Sequence, residues 1–366
     1  MEWCDDMYDI AIIGAGPAGA TLARLAGKKY RVLLVDRRRF AGGPAEGSGT
    51  KCCGGLLAPD AQKMMAALGL GLPREAVVGP QLFTVRTIDL QAGLERYYQR
   101  FYINVDREKF DRWLLSMVPG SVEMRLGAVF KSLERNGQGF KITLLQDGKR
   151  QEEQVRAIIG ADGAFSMVRR IAFPGLPLPE KYIAVQEWFQ SERVLPYFTT
   201  VFDSSLTNFY CWTIPKEDCL IVGAALAPDN QAAHRFELFK ERLGDYGLKL
   251  GRRVKREGSF ILRPEKLCHI NTGSDGVALL GEAAGLISPS SAEGISYALR
   301  SAMLCARSLE EGTGGFAGRY SRNIGQMRRN IFIKNLKSPF MYTPALRKMV
   351  MKSGLLSMDV QPPILL

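Results

Sequence analysis

The sequence predicts an α/β protein. A Rossmann-like dinucleotide-binding domain is interrupted by an inserted antiparallel β-sheet domain and followed by a C-terminal helical segment. Three observations predict this. A glycine-rich turn joins an apolar strand to a helix near the N-terminus. Two later apolar runs also end in Gly/acid turns. The stretches between them carry β-rich, partly alternating segments with many aromatic residues.

The first unit opens with Tyr8-Asp-Ile-Ala-Ile-Ile13, short and β-branched as a buried parallel strand should be. It runs into Gly14-Ala-Gly16-Pro17-Ala18-Gly19, then a helix over Ala20–Ala26 and a second strand, Arg31–Asp36. Gly14 permits the tight turn, Gly16 lets the backbone approach a pyrophosphate, and Gly19 allows close helix–strand packing. The helix N-terminus offers free N–H groups and partial positive charge. Asp36 can accept hydrogen bonds from ribose hydroxyls, which favours FAD or NAD over NADP. Arg37, Arg38 and Arg39 pull the other way, because an arginine there accommodates a 2′-phosphate. A turn made only for packing is the plain alternative.

The returns to the sheet are Ala157-Ile-Ile-Gly160-Ala-Asp162-Gly163 and Val277-Ala-Leu-Leu-Gly281-Glu282-Ala-Ala-Gly285. A loop with Pro289, Glu293, Gly294 and Ile295 and a helix over Ser296–Arg307 follow the second. One large dinucleotide lying across several strand ends explains such a spacing. The inserted sheet is expected from Leu82–Ile88, Tyr97–Val105, Ile183–Phe189, Tyr197–Phe202, Phe209–Ile214 and Leu220–Leu226, with a helix over Phe236–Tyr246 packed on it. The implied boundaries are 1–79, 106–179 and 263–310 for the dinucleotide domain, 80–105 and 180–262 for the sheet, and 311–366 for the basic C-terminal segment.

Length and composition bound the function. The 366 residues suit two domains, and 46% hydrophobic with 23% charged residues excludes a mainly disordered chain. No apolar run approaches the roughly 18–20 residues of a membrane span. The acidic start, Met1 to Asp9, has no apolar h-region, so no secretory signal is expected. Seven cysteines without CxxC spacing and two histidines argue against a disulfide framework and against a metal site; a cytoplasmic location is expected. The absence of long heptads argues against a coiled-coil dimer.

The net charge is +12, and its placement is uneven. From Gly312 to Met358 there is no Asp or Glu. Arg319, Arg322, Arg328, Arg329, Lys334, Lys337, Arg347, Lys348 and Lys352 are interleaved there with Phe316, Tyr320, Ile331, Phe332, Ile333, Leu336, Phe340 and Met341. A pair of solvated surface helices is one reading; a peripheral surface for anionic lipid headgroups is another. Nucleic acid is not expected, because no recognition motif accompanies the charge.

The set of Gly14–Gly19, Asp106-Arg-x-x-Phe-Asp111, Gly160–Arg170 and Gly281–Ile295 resembles the flavoprotein superfamily of aromatic-hydroxylase fold (the GR2/PHBH type). Within it the chain is similar to the geranylgeranyl reductase family, in its CbrA-like bacterial branch. The resemblance covers residues 8 to 310. It implies bound FAD, with Gly14, Gly16, Pro17, Ala18, Gly19, Asp36 and Arg37 at the ADP half. Arg107 is implied near the pyrophosphate, and Val129, Asp162 and Gly163 as further contacts. Gly281 and Glu282 would meet the ribitol, where the family has Asp, and Pro289, Gly294 and Ile295 would lie beside the isoalloxazine. A helix N-terminus at Ile295 would stabilise charge on the reduced ring.

Two more segments carry the resemblance. Lys51-Cys52-Cys53-Gly54-Gly55 is similar to the family's Lys-Pro-Cys-Gly-Gly loop, with Cys52 in the proline position. It implies that Cys53, Gly54 and Gly55 lie at the flavin face, with Cys53 a candidate catalytic thiol; two buried, inert cysteines are the alternative. Tyr210-Cys-Trp212-Thr-Ile214-Pro215, followed by Gly223, is similar to the substrate-side signature, with Ile214 replacing Phe and Ala225 replacing a second Gly. Tyr210, Trp212, Pro215 and Gly223 are thus candidate walls of a cavity for a prenyl-lipid substrate, or else ordinary core residues.

The expected activity is an FAD-dependent oxidoreductase reducing C=C bonds of an isoprenoid lipid, with NAD(P)H or a ferredoxin as electron donor. A monooxygenase or halogenase of the same fold is the alternative, and a non-catalytic flavin-bearing membrane adaptor a further one.

Overall fold

The computed structural model describes residues 7–40, 51–137, 139–192 and 195–360. Cys4, the rest of the acidic start before residue 7, and the end of the C-terminal segment lie outside the described residues.

In chain order the elements begin with β1 (Tyr8–Ile13), α1 (Pro17–Ala26), β2 (Val32–Asp36), β3 (Leu56–Leu57) and α2 (Pro59–Ala67). Then come β4 (Leu82–Asp89), β5 (Leu94–Asn104), α3 (Arg107–Ser116), β6 (Glu123–Leu126), β7 (Ala128–Asn136), β8 (Gly139–Gln146), β9 (Lys149–Gly160) and α4 (Met167–Ala172). The middle holds β10 (Glu180–Gln190), β11 (Phe198–Phe202), β12 (Cys211–Lys216), β13 (Cys219–Leu226), α5 (Ala232–Asp245) and β14 (Arg253–Arg263). The chain closes with β15 (Gly273–Ser274), β16 (Val277–Leu279), α6 (Ile295–Leu309), α7 (Phe316–Asn323), α8 (Gly325–Lys337), α9 (Pro339–Tyr342) and α10 (Pro344–Ser353).

The fold is mixed α/β, and two sheets organise it. The first runs β15-β16-β9-β1-β2-β6, with the β7–β8 hairpin joined to β9. β1 pairs in parallel with β2 and β9, and β9 with β16. These strands are buried on both faces, which is why they read as continuous apolar runs. The long β9 does two jobs. Its polar N-terminal half pairs antiparallel with β8, and its apolar end, Ala157–Gly160, lies beside β1.

The second sheet runs β14-β10-β13-β12-β11-β4-β5-β3. The expectation of a wholly antiparallel sheet is corrected at one place: β11 and β4 pair in parallel, Val201 opposite Ile88. β14, absent from the sequence reading, forms one edge against β10. One face packs under α5 through Phe236, Phe239, Val222 and Leu226. The opposite face carries Tyr182, Phe209, Tyr210, Trp212, Ile214 and Ile221.

The C-terminal segment is four helices rather than a pair. Phe316, Tyr320 and Ile331 are fully buried in the main core, and the Tyr320 hydroxyl donates to the Leu279 carbonyl at 3.0 Å. Among the described residues no helix is long and apolar enough to cross a membrane.

Candidate functional site

The carboxyl ends of β1, β9 and β16 come together. A Cβ built on Gly14, whose φ is +105°, would meet the Ala161 carbonyl oxygen at 2.4 Å. One on Gly19 would meet the Gly14 carbonyl oxygen at 1.7 Å, and one on Gly281 would lie 3.6 Å from the Ala18 Cβ. Gly14 thus needs both its backbone freedom and its missing side chain. At Gly16, by contrast, the nearest atom to such a Cβ is an Arg38 nitrogen at 3.9 Å, so space lies in front of the turn. α1 and α6 both start here, and neither has a side-chain cap. Two helix N-termini with free N–H groups above glycine turns fit an anionic dinucleotide. The donor set therefore fits the pyrophosphate of FAD.

Asp36 ends β2 and is buried. Its carboxylate accepts from Ala15 N at 2.7 Å and from Arg38 through the backbone N (2.7 Å), Nε (3.0 Å) and Nη2 (2.9 Å). The neighbour of this carboxylate is Arg38; Arg37, the arginine taken from the sequence, points outward and is exposed. The turn after β2 fixes the alternation, and a strand pattern alone does not reveal it. Arg38 also reaches Asp111 at 3.3 Å, and Asp111 accepts from Arg107 Nε at 2.8 Å. Asp106 caps α3 through the Glu108 and Lys109 N–H groups, which sets Arg107 at the first helical position. There its guanidinium also lies beside the Cys53 thiol. Val129 lies in β7 opposite Leu145, partly exposed. The start of β7 abuts the end of β2 through Gly127 N, which donates to the Asp36 carbonyl at 2.8 Å.

Asp162 is a local cap: it accepts from the Ser166 hydroxyl at 2.6 Å and from Met167 N at 2.7 Å, with Gly163 in the turn at φ +77°. Glu282 lies just beyond β16, in the turn that starts at Gly281. Its buried carboxylate accepts from Leu262 N at 2.9 Å and pairs with Lys51. The carboxylate thus lies between β14 and the cysteine loop.

That loop is pressed against the second sheet. A Cβ on Gly54 would meet Ile214 Cδ1 at 2.2 Å, and one on Gly55 (φ +63°) the Val105 carbonyl oxygen at 2.1 Å. Trp212 and Ile214 share one face of β12 by strand alternation, and Tyr210, just before the strand, joins the same apolar cluster. The Tyr210 hydroxyl donates to the Ser291 carbonyl at 2.8 Å. With its amide oriented to satisfy its neighbours, Gln186 accepts from Trp212 Nε1 at 3.0 Å and Gly54 N at 3.3 Å. Trp212 lies across Gly223, and the Pro215 carbonyl accepts from Asn104 at 2.9 Å. The strand signature thus brings its aromatic residues to the glycine loop.

The segment from Pro289 to Ile295 is held from several sides. Arg263 donates to the Pro289 carbonyl at 3.2 Å, and Tyr342 to the Ser290 carbonyl at 2.7 Å. Glu293 accepts from Arg100 at 2.8 Å and from the Tyr102 hydroxyl at 2.9 Å.

Sequence reasoning named Arg38, Lys51 and Glu293 without these partners, and missed Gln186 and Lys216. The last is the most unusual. Lys216 ends β12 fully inside the protein, its Nζ donating to the Val105 carbonyl at 2.6 Å. Burial pushes its amine down to about 7, against smaller opposing effects of Cys53, Asp106 and Glu217. A lysine closing a wholly buried strand is the signal that could have found it. Cys53 is half-buried, while Cys52 is buried and its thiol is pushed up by that burial.

The chain matches the family described as FAD binding domain over residues 7–187. It is 40% identical to the protein CbrA of Escherichia coli K12 over 347 residues, 95% of this chain and 97% of that protein. Its fold is similar to a geranylgeranyl bacteriochlorophyll reductase-like protein of Thermoplasma acidophilum, with a TM-score of 0.72 at 20% identity, covering 96% of this chain and 88% of the other. It is also similar to PqsL of Pseudomonas aeruginosa, described as a probable FAD-dependent monooxygenase, with a TM-score of 0.70 at 19% identity over 96% of this chain and 100% of the other.

Proposed function

The chain belongs to the CbrA family and is an FAD-dependent oxidoreductase of aromatic-hydroxylase fold, and from that premise we propose that it reduces C=C bonds of an isoprenoid lipid. The observation that carries the proposal is the Tyr210–Trp212–Ile214 face of β12, pressed against the glycine loop that holds Cys53.

Gly14, Gly16, Gly19 and Gly281, with the starts of α1 and α6, would hold FAD. Asp36 would act at the ribose with Arg38 fixing its orientation, and Pro289, Gly294 and Ile295 would flank the ring. Bound FAD, once reduced by NAD(P)H or a ferredoxin, supplies a hydride from N5. An isolated alkene is a weak hydride acceptor, so positioning and exclusion of water matter more than a strong base. Tyr210, Trp212 and Ile214 exclude water, and their own polar atoms are already bonded. The Gln186 amide holds Gly54 and Trp212 in register. Cys53 Sγ and Lys216 Nζ are the nearby groups able to hold a proton for the second alkene carbon.

A second reading, an oxygen-using hydroxylase or halogenase on a greasy substrate, is favoured by the comparable likeness to PqsL. The two separate in one assay. Under the reductase reading, prenyl compounds support donor oxidation without oxygen, and adding them does not raise oxygen uptake. Substrate-stimulated oxygen uptake with no anaerobic turnover favours the second.

A further inference from the structure

We propose that the outward faces of α8 and α10 form a docking surface for an anionic lipid bilayer. The binding itself stands apart from the proposed function; only the delivery of a lipid to the flavin side rests on that reading.

α8 buries Met327 and Ile331 and turns Arg329, Phe332, Ile333, Leu336 and Lys337 outward. Positions 329, 332, 333, 336 and 337 fall on one stripe of a helix. Phe340 extends the apolar character onto α9. α10 repeats the arrangement. Arg347 and Met351 face inward, with Arg347 Nε donating to Asp89 at 2.7 Å, while Lys348, Met349 and Lys352 face outward. Leu355 and Leu356 follow, the latter 85% exposed.

An ordinary solvated helix face is polar. Large apolar tips alternating with lysine and arginine do not fit it. No Asp or Glu occurs from 312 to 358, so the segment offers a polyanion only attraction. Phosphates alone would satisfy the cations and leave Leu336, Phe340, Met349 and Leu356 in water. A bilayer takes both, headgroups on the cations and acyl boundary on the apolar tips.

The inner side of the same segment leads to the site. Met341 and Tyr342, adjacent to Phe340, pack on the apolar face of the second sheet, and Tyr342 holds the Ser290 carbonyl. Phe340 is thus next in sequence to a residue that packs on that apolar face.

The test uses FAD-loaded protein and sedimentation with vesicles of phosphatidylcholine alone or mixed with phosphatidylglycerol. Tighter binding to the anionic vesicles, weakening with salt, is expected. Each near-surface cation contributes about fivefold in affinity, so Lys337→Gln with Lys348→Gln costs about 25-fold. Leu336→Ser with Phe340→Ser costs at least about tenfold. Both variants keep bound FAD and turnover of detergent-dispersed prenyl compounds, which separates this test from that of the proposed function. Equal affinity for neutral and anionic vesicles, unchanged binding in both variants, or preference for duplex DNA at matched phosphate concentration overturns the proposal.

Discussion

The Trp212 indole lies directly across Gly223 on the neighbouring strand, its Cε2 and Nε1 each 2.4 Å from where a Gly223 Cβ would stand. The two residues are register partners of β12 and β13. The ring can lie flat on the strand only because no side chain rises beneath it, and from there its N–H reaches Gln186.

Gly223→Ala is therefore expected to displace the indole and destabilise the protein by roughly 1–3 kcal/mol. Gly258→Ala, in β14 of the same sheet, is the control. Its Cβ would stand 3.6 Å from the Ala184 carbonyl, an ordinary contact, and a strand glycine replaced without strain gains about 0.5–1 kcal/mol. Urea denaturation of the two variants checks the contrast.

Asp36→Ala removes the acceptor for Ala15 N–H and leaves Arg38 with Asp111 alone. The variant also loses the carboxylate proposed to accept from the ribose; a hydrogen bond to a charged group contributes roughly 1.5–3 kcal/mol, so FAD affinity should fall about tenfold or more. Arg37→Ala, on the exposed side of the same turn, should leave it unchanged. Fluorescence titration of the apoprotein with FAD measures both.

The Lys216 amine has a folded-state pKa near 7, below its ordinary 10.5. The unfolded chain then binds more protons than the folded one between those values. Folding stability attributable to this group is least below pH 7 and rises as pH climbs toward 10.5, by an amount of order a few kcal/mol. Lys216→Met should flatten that part of the stability–pH curve. A parallel rise in both proteins would contradict the assignment.

Cys53 is half-buried beside Arg107, whereas Cys52 is buried. Iodoacetamide mapping should show Cys53 alkylated before Cys52, with exposed Cys268 as reference. Bound FAD should protect Cys53 and not Cys268. Equal labelling of Cys53 with and without FAD would place the loop away from the flavin.

Much of the dinucleotide half was legible because its determinants are local. A parallel strand buried on both faces must be apolar, and Gly14 and Gly19 sit where a Cβ has no room. The Tyr210–Ile214 alternation was legible for the same reason. The β7–β8 hairpin and the outer half of β9 were not, because Lys149–Gln154 is polar and paired at an exposed part of the sheet. β14 hides likewise behind Arg253-Val-Lys-Arg-Glu, its solvent-facing start. The parallel pairing of β4 with β11 depends on partners far apart in the chain, which no local period encodes. Arg38, Lys51 and Lys216 depend on which way one side chain turns, and only the assembled neighbours decide that.

If the apolar β12 face and the Cys53 loop bring an isoprenoid alkene to a flavin, the two react without oxygen. An anaerobic single turnover decides this: the bound flavin is bleached with dithionite, and polyprenyl phosphates or prenylated glycerolipids are added. The expected result is reoxidation of the flavin with a gain of one H2 per turnover in the lipid, slowed by Trp212→Ala. A flavin that stays bleached with every prenyl compound, yet reoxidises when oxygen and an aromatic substrate are supplied together, would contradict it.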